Sequence, residues 1–351
     1  MKPKRSQIVF LLFIIAFCGL LLNRNVFRYG LPARTSTVNL NRTQVSTDFP
    51  SVLLSDFNHS FCFSTKNGSY AGKCFSSNWT DLLTFLQLTD SYSNRLERWQ
   101  FGQVPIFLTA LSQNHFGEAK KHFNMFLKEN NSTKHKRQMI VYDLGLENSS
   151  LDWISSKQSQ GISVRPFNFG RYPPYVRNLH QYRWKPLIIA EALKDFPAVW
   201  WVDSSIAFRN SSLEGAEAWT RSKACQWTML RALDSSIFAV TNPLMYLYFP
   251  IPIERAQTTQ LFAATYMLIW NSNSVRANVL RWWVLCALEE DCMSPKKSKL
   301  HCNFAKDSFG VYAKCHRYDQ SAINLILALQ NDFDTLSYGY RNFTGLYIER
   351  G

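Results

Sequence analysis

Asp203 follows the run Ala198-Val199-Trp200-Trp201-Val202 and is itself followed by Ser204 and Ser205. An apolar stretch thus ends abruptly on a carboxylate and two hydroxyls. Continuous apolar residues suit a strand buried on both faces. Polar groups at the carboxyl end of such a strand face the crevice in which open α/β folds bind ligands. A turn closing a core strand accounts for the same three residues, because Asp and Ser both favour turns. Thr109 in VPIFLTAL and Asp143 in QMIVYDLGL stand at the expected ends of two further strands. Lys185 and the run His316-Arg317-Tyr318-Asp319-Gln320 complete the set of candidates. A positioned carboxylate can act as a general base, and cations can stabilise charge that develops on a leaving group. Plainer roles exist for the same residues: Asp319 suits a helix cap, Lys185 a snorkelling helix residue, and His316 a bridging histidine.

These residues converge only if the elements carrying them share an edge. VPIFLTAL, QMIVYDLGL, GISVRPF and AVWWVDSS read as strands. Between them, HFGEAKKHFNMFLKEN places Ala119, Phe123, Phe126 and Leu127 on one helical face. A second helix is expected near Leu151 to Lys157, and HQYRWKPLIIAEALKD forms a third with Pro186 in its first turn. Strands alternating with helices predict βαβ units and a parallel sheet, whose strands end on one edge. Further on, TYMLIWNS reads as a strand, and SVRANVLRWWVLCALEE and DQSAINLILALQ as helices, the last opening on Asp319. Trp200, Trp201, Trp282 and Trp283 are expected in the core. The fold class is α/β, a mixed, mainly parallel sheet flanked by helices, in one domain over 102–351. The chain has no GxGxxG, GxxxxGK[ST], HExxH or GxSxG motif. Dinucleotide, P-loop, zincin and α/β-hydrolase chemistry are therefore unsupported.

The amino end sets the compartment. Ile8 to Leu22 carries no charge, and Lys2, Lys4 and Arg5 precede it. The run is shorter than the roughly 20 residues of a typical spanning helix, yet it suits a signal anchor in a thin early-secretory bilayer. With no small-x-small cleavage site after it, the expected arrangement is a cytosolic tail over 1–7, an anchor over 8–22, a lumenal stem over 23–101, and then the folded domain. Nine Asn-x-Ser/Thr sites agree with a lumenal chain: Asn41, Asn58, Asn67, Asn78, Asn130, Asn131, Asn148, Asn210 and Asn342. Beyond Cys18, seven cysteines remain: Cys62, Cys74, Cys225, Cys286, Cys292, Cys302 and Cys315. In an oxidising lumen they should form disulfides with one thiol left over, Cys62 with Cys74 and two bridges among the rest. The formal charge is +14, and the first 42 residues hold seven Lys and Arg and no acid, so half of it lies there. The remaining excess suits anionic ligands or solubility, and a glycosylated lumenal domain meets no nucleic acid.

The blocks TALSQNHF, YDLGL, YRWKPLIIAEAL, VWWVDSS and YDQSAIN, in that order, resemble a GT-A nucleotide-sugar glycosyltransferase. More closely, they resemble an uncharacterised domain-of-unknown-function family, expanded in nematodes, with RWKP, WW-x-DSS and DQSAIN blocks. The resemblance covers about 102–340. It implies a Golgi or ER type II membrane protein that moves a sugar from a nucleotide donor, with a UDP-linked one expected, to a glycan or glycoprotein acceptor. It places Thr109 and Asp143 near the donor's base and ribose, and Lys185 near its phosphates or bracing the site. Asp203 corresponds to the first acid of the Asp-x-Asp signature, which holds the nucleotide and a divalent Mn2+ or Mg2+. Ser205 stands where the second acid belongs, and a hydroxyl is a poor substitute for a carboxylate on a hard cation. If no metal is held, Lys185, His316 or Arg317 must neutralise the leaving diphosphate. Asp319 resembles the acid that meets the acceptor hydroxyl. A binding protein of the same fold that has lost turnover is the alternative, with Ser205 as its chief support.

Overall fold

The computed structural model describes residues 59–65, 68–90, 104–132, 136–208, 213–341 and 346–348. All belong to the compact unit Asp56–Gly351. The apolar run 8–22 and the sequons Asn41, Asn58, Asn67, Asn210 and Asn342 lie outside the described residues. Among the described residues no helix is long and apolar enough to cross a membrane.

The described residues begin with β1 (His59–Ser64) and β2 (Ala71–Ser76), an antiparallel hairpin, followed by α1 (Thr80–Phe85). Alternation then sets in: β3 (Ile106–Leu111), α2 (Phe116–Ser132), β4 (Met139–Asp143), α3 (Asn148–Ser155), β5 (Ile162–Pro166), α4 (Trp184–Asp195) and β6 (Ala198–Val202). After these come β7 (Ile206–Phe208), α5 (Leu213–Ser222), β8 (Trp227–Met229), β9 (Ala232–Ser236), α6 (Ile253–Thr258), β10 (Gln260–Phe262) and β11 (Tyr266–Trp270). The chain closes with α7 (Arg281–Leu288), α8 (Glu290–Met293), α9 (Asp319–Gln330) and β12 (Leu346–Ile348).

The central sheet has six strands in the order β5-β4-β3-β6-β11-β8. The first four are mutually parallel, and β11 runs antiparallel to both of its neighbours. Side chains alternate between two cores, as the period of a strand requires. Val199 and Trp201 of β6 join the core built with α4, α7 and α9. Ala198, Trp200 and Val202 join the other, with Phe123 and Phe126 of α2 and Ala216 of α5. A strand covered on both faces cannot show polar alternation, which is why AVWWV is apolar throughout.

Residues 59–65 and 68–90, within the span expected to be a stem, pack against the body. Phe63 makes edge contacts with Phe249 at 5.1 Å and Trp282 at 5.3 Å, and Phe75, Leu83, Leu86 and Leu88 are buried in the same core. The buried Arg276 donates to the carbonyls of Leu86 and Gln87, fixing this segment to the body. The apolar part of the attachment rests on a few aromatic and leucine side chains, which frequent Ser, Thr and Asn hide in the sequence. Among the described residues three disulfides are present: Cys62–Cys74, Cys286–Cys292 and Cys302–Cys315. Cys225 is buried, with Asn331 Nδ2 3.7 Å from its sulfur. Asn78, Asn131 and Asn148 are exposed, whereas the Asn130 side chain is turned inward onto the backbone of Arg137.

Candidate functional site

Because α4 joins two parallel strands, it must run back against them, and its first turn rises at the sheet's carboxyl edge. Two residues prepare that turn. Arg183 is buried and donates to the carbonyls of Ala287, Glu289 and Glu290, beyond and within the last turn of α7. Burial pulls its guanidinium down to about 10. Trp184 donates its indole N–H to the Leu179 carbonyl and packs on Trp201, with ring centroids 6.0 Å apart. Lys185 is thereby aimed inward, its side chain 3% exposed.

Its ammonium meets three oxygens: Asp319 Oδ2 at 2.7 Å, Asp203 Oδ1 at 3.2 Å and the Ala264 carbonyl at 3.3 Å. The ammonium donates a hydrogen bond to the Ala264 carbonyl and meets the two carboxylates as ion pairs. Each oxygen arrives from a different element. Asp203 is the first residue beyond β6, and its backbone N–H donates to the Thr265 carbonyl. Ala264 and Thr265 precede β11, which, being antiparallel, begins at the edge where β6 ends. Asp319 opens α9, where Trp283 donates its indole N–H to the Asp319 carbonyl. A carboxylate is favoured at a helix amino terminus and a cation disfavoured, so Lys185 depends on its two acids. Burial alone would lower the Lys185 pKa, but Asp203 and Asp319 outweigh it and hold the ammonium above the usual lysine value. Burial raises the Asp319 carboxyl against the opposing pull of Lys185.

The two acids differ in access. Asp319 is 6% exposed and Asp203 23%. Asp203 Oδ1 also accepts from the Trp201 indole at 2.8 Å. The ammonium lies 5.5 Å from the ring centroids of both Tyr182 and Trp201. Tyr182 and Tyr318 both have left-handed backbones, at φ 53° and 44°, and their rings stand 6.4 Å apart. Positive φ in bulky residues is uncommon and costs about 1–3 kcal/mol, and such strain clusters at functional sites. Burial and the charges of Asp319 and Asp203 raise the Tyr182 phenol, while Lys185 and Arg317 pull it down.

The structure brings Asp203, Lys185 and Asp319 together, with Ser205 in the adjoining turn and half-buried Arg317 near Tyr182. The remaining candidates stand apart from this cluster. Thr109 lies two residues before the end of β3, buried on the side of Phe107 and Leu111. Asp143 does end β4, but its Oδ1 accepts from the N–H groups of Gly145 and Leu146 at 2.7 Å and shapes its own turn, with Gly145 at φ 122°. His316 is buried: its Nδ1 accepts from Asn242 N–H, and its Nε2 is 3.1 Å from the Met293 carbonyl. Burial lowers its pKa to about 3, so it is neutral and cannot serve as the expected cation. Sequence reasoning missed Trp201, although it stands two residues before Asp203 and so shares its side of the strand. It also missed the Ala264 carbonyl, for which no residue type gives a signal. A cavity of about 250 Å³ lies elsewhere, between Phe85, Tyr142, Arg165 and the far half of α4.

Among the described residues no three His, Cys, Asp or Glu side chains group to hold a metal ion. Asp203 shares one oxygen with an ammonium and an indole, Asp319 faces the same ammonium, and Ser205 supplies only a hydroxyl. This donor set does not fit a divalent cation while Lys185 is in place.

The family described as "Protein of unknown function (DUF1647)" matches residues 53–190, a span that includes Lys185 but neither Asp203 nor Asp319. No curated protein matches the sequence. Solved structures similar to this chain include the mannosyltransferase Ktr4p from S. cerevisiae in complex with GDP. It is 12% identical with a TM-score of 0.43, over 79% of this chain and 82% of that one. Mouse xyloside xylosyltransferase 1 is 10% identical with a TM-score of 0.39, over 68% and 84%. The WbbM bifunctional glycosyltransferase is 11% identical with a TM-score of 0.37 over 65% of this chain, which spans only 38% of WbbM. Likenesses this distant say nothing of the site's chemistry.

Proposed function

We propose that the chain is a glycosyltransferase of GT-A-like fold, taking a nucleotide sugar and passing the sugar to a glycan or glycoprotein acceptor. The carrying observation is the cluster at the carboxyl edge of the sheet, where Asp203 is the accessible carboxylate and Lys185 fixes its direction. Open α/β sheets bind ligands at this edge. Asp203 accepts from hydroxyls of the donor, and Arg317 supplies positive charge for the diphosphate. Asp319 is a positioning residue that acts through Lys185, since its carboxylate lies inside the ion cluster. A UDP-linked donor is the first to test. The secretory lumen is the proposed compartment, supported by the apolar run 8–22, the sequons and three disulfides.

The same burial of Asp319 favours a second reading, a binding protein without turnover, because no other acid of the cluster is left to activate an acceptor. Thermal shifts of the full chain with UDP, GDP and CMP, followed by donor hydrolysis, separate the two. Nucleotide binding with hydrolysis supports the transferase; binding alone supports the second reading; no binding by any of the three removes both.

A further inference from the structure

Three oxygens converge on Lys185 Nζ: two carboxylates, from Asp203 and Asp319, and the carbonyl of Ala264, at 2.7–3.3 Å. Oxygen-only donors with two negative charges are what a hard divalent cation takes. Here the centre is filled by a side chain that the fold places there, through the Arg183 clamp, the Trp184 contact and the direction of α4. The ammonium carries one positive charge against two negative ones, so it holds both acids without cancelling them. Aromatic rings of Tyr182, Trp184 and Trp201 within 6.0 Å add attraction for a cation and exclude water from it.

We propose that the Lys185 ammonium is a built-in replacement for a divalent metal, so that the folded protein needs none, and that the three-oxygen cradle becomes a metal site once the ammonium is removed. A divalent ion brought up to the native cluster would meet a fixed positive charge and an Asp203 oxygen already shared with Trp201. Shortening Lys185 to alanine leaves the same oxygens around a space with room for an ion and its waters, and an excess of negative charge to attract it. The inference concerns the proposed donor site, but its test needs no nucleotide. Its failure is therefore distinguishable from failure of the transferase reading.

The experiment is thermal unfolding of the detergent-solubilised full chain in EDTA and in millimolar Mn2+, with bound Mn2+ counted by the loss of the free-ion paramagnetic resonance signal. The parent should unfold at the same temperature in both and bind no Mn2+ that Asp203→Asn removes. Lys185→Ala should unfold at a lower temperature in EDTA. Mn2+ should recover about 2–4 °C of the loss at tenfold over its dissociation constant. The recovery should vanish when Asp319→Asn is added. A parent stabilised by Mn2+ through Asp203 overturns the proposal, as does a folded Lys185→Ala chain indifferent to Mn2+. If Lys185→Ala does not fold in EDTA, recovery of folded chain in Mn2+ supports the proposal. Failure in both media leaves the decision to the parent, where one Mn2+ lost on Asp203→Asn overturns it and none supports it.

Discussion

A lysine buried between two aspartates gives those aspartates unequal roles. Asp203 keeps part of its carboxylate toward the crevice, while Asp319 is enclosed and its Oδ2 is the nearest oxygen to the ammonium. Asp203→Asn should therefore lower nucleotide affinity about tenfold or more, the loss of a charged acceptor, and should also lower the unfolding temperature, though less than loss of the enclosed acid, because Lys185 loses one of its two counter-charges. Asp319→Asn should weigh the other way: nucleotide affinity nearly retained, and stability reduced by about 2–4 kcal/mol, because a buried ion pair loses one partner. Calorimetric titration with UDP and urea unfolding of both variants check this. Equal effects on binding would show that Asp319 touches ligand directly. The residue types were legible in the sequence, since a carboxylate ending an apolar strand and another opening a helix both stand out. Which acid is accessible was not, because that depends on the Lys185 rotamer and on Ala264, whose contribution is a backbone atom.

At the scale of elements, the blocks RWKP, WWVDSS and DQSAIN each carry one charged residue of the cluster, Lys185, Asp203 and Asp319, and much of the rest is scaffolding. Trp200 donates to Glu217 on the opposite face of the sheet. Asn324 bonds both the N–H and the carbonyl of Phe262, pinning β10 to α9. Arg183 ties the entry of α4 to the carboxyl end of α7. Lysine cannot reproduce that fork, so Arg183→Lys should cost about 2–3 kcal/mol and leave carbonyls unpaired. It should also weaken nucleotide binding, since Lys185 is two residues on. Urea unfolding and UDP titration measure both, and an unchanged midpoint would remove the clamp. The parallel strands were legible because unbroken apolar runs separated by helical periods have few other folds. The strands β7, β8 and β10 were not, being three residues each and too short to show a period. The β1–β2 hairpin escaped too, because a polar segment with one buried face resembles a stem until its partners Phe249 and Trp282 are known.

At the scale of the whole molecule, two histidines among the described residues, far from one another in sequence, are buried and neutral. His122 of α2 meets the Ile206 carbonyl, and burial lowers its pKa to about 4, against the weaker opposite effect of that bond. His316, held between Asn242 and Met293, is lowered to about 3. In the unfolded chain both titrate near the ordinary value of about 6.5. A depressed folded pKa means that protons bind the unfolded state first. The stability these two sites contribute is complete above about pH 6.5 and falls away as pH drops toward their folded values. At pH 5 each should have cost about 2 kcal/mol, or about 4 kcal/mol together, before most carboxylates begin to titrate. Unfolding in urea at pH 7.5, 6.5, 5.5 and 5.0 should show a flat upper limb and a falling lower one. His122→Gln and His316→Gln should each flatten the lower limb by about half, whatever they do to the stability at pH 7.5. A parent equally stable at pH 7.5 and 5.0, or a slope unaltered by both substitutions, would mean that these histidines open to water or find anionic partners when protonated.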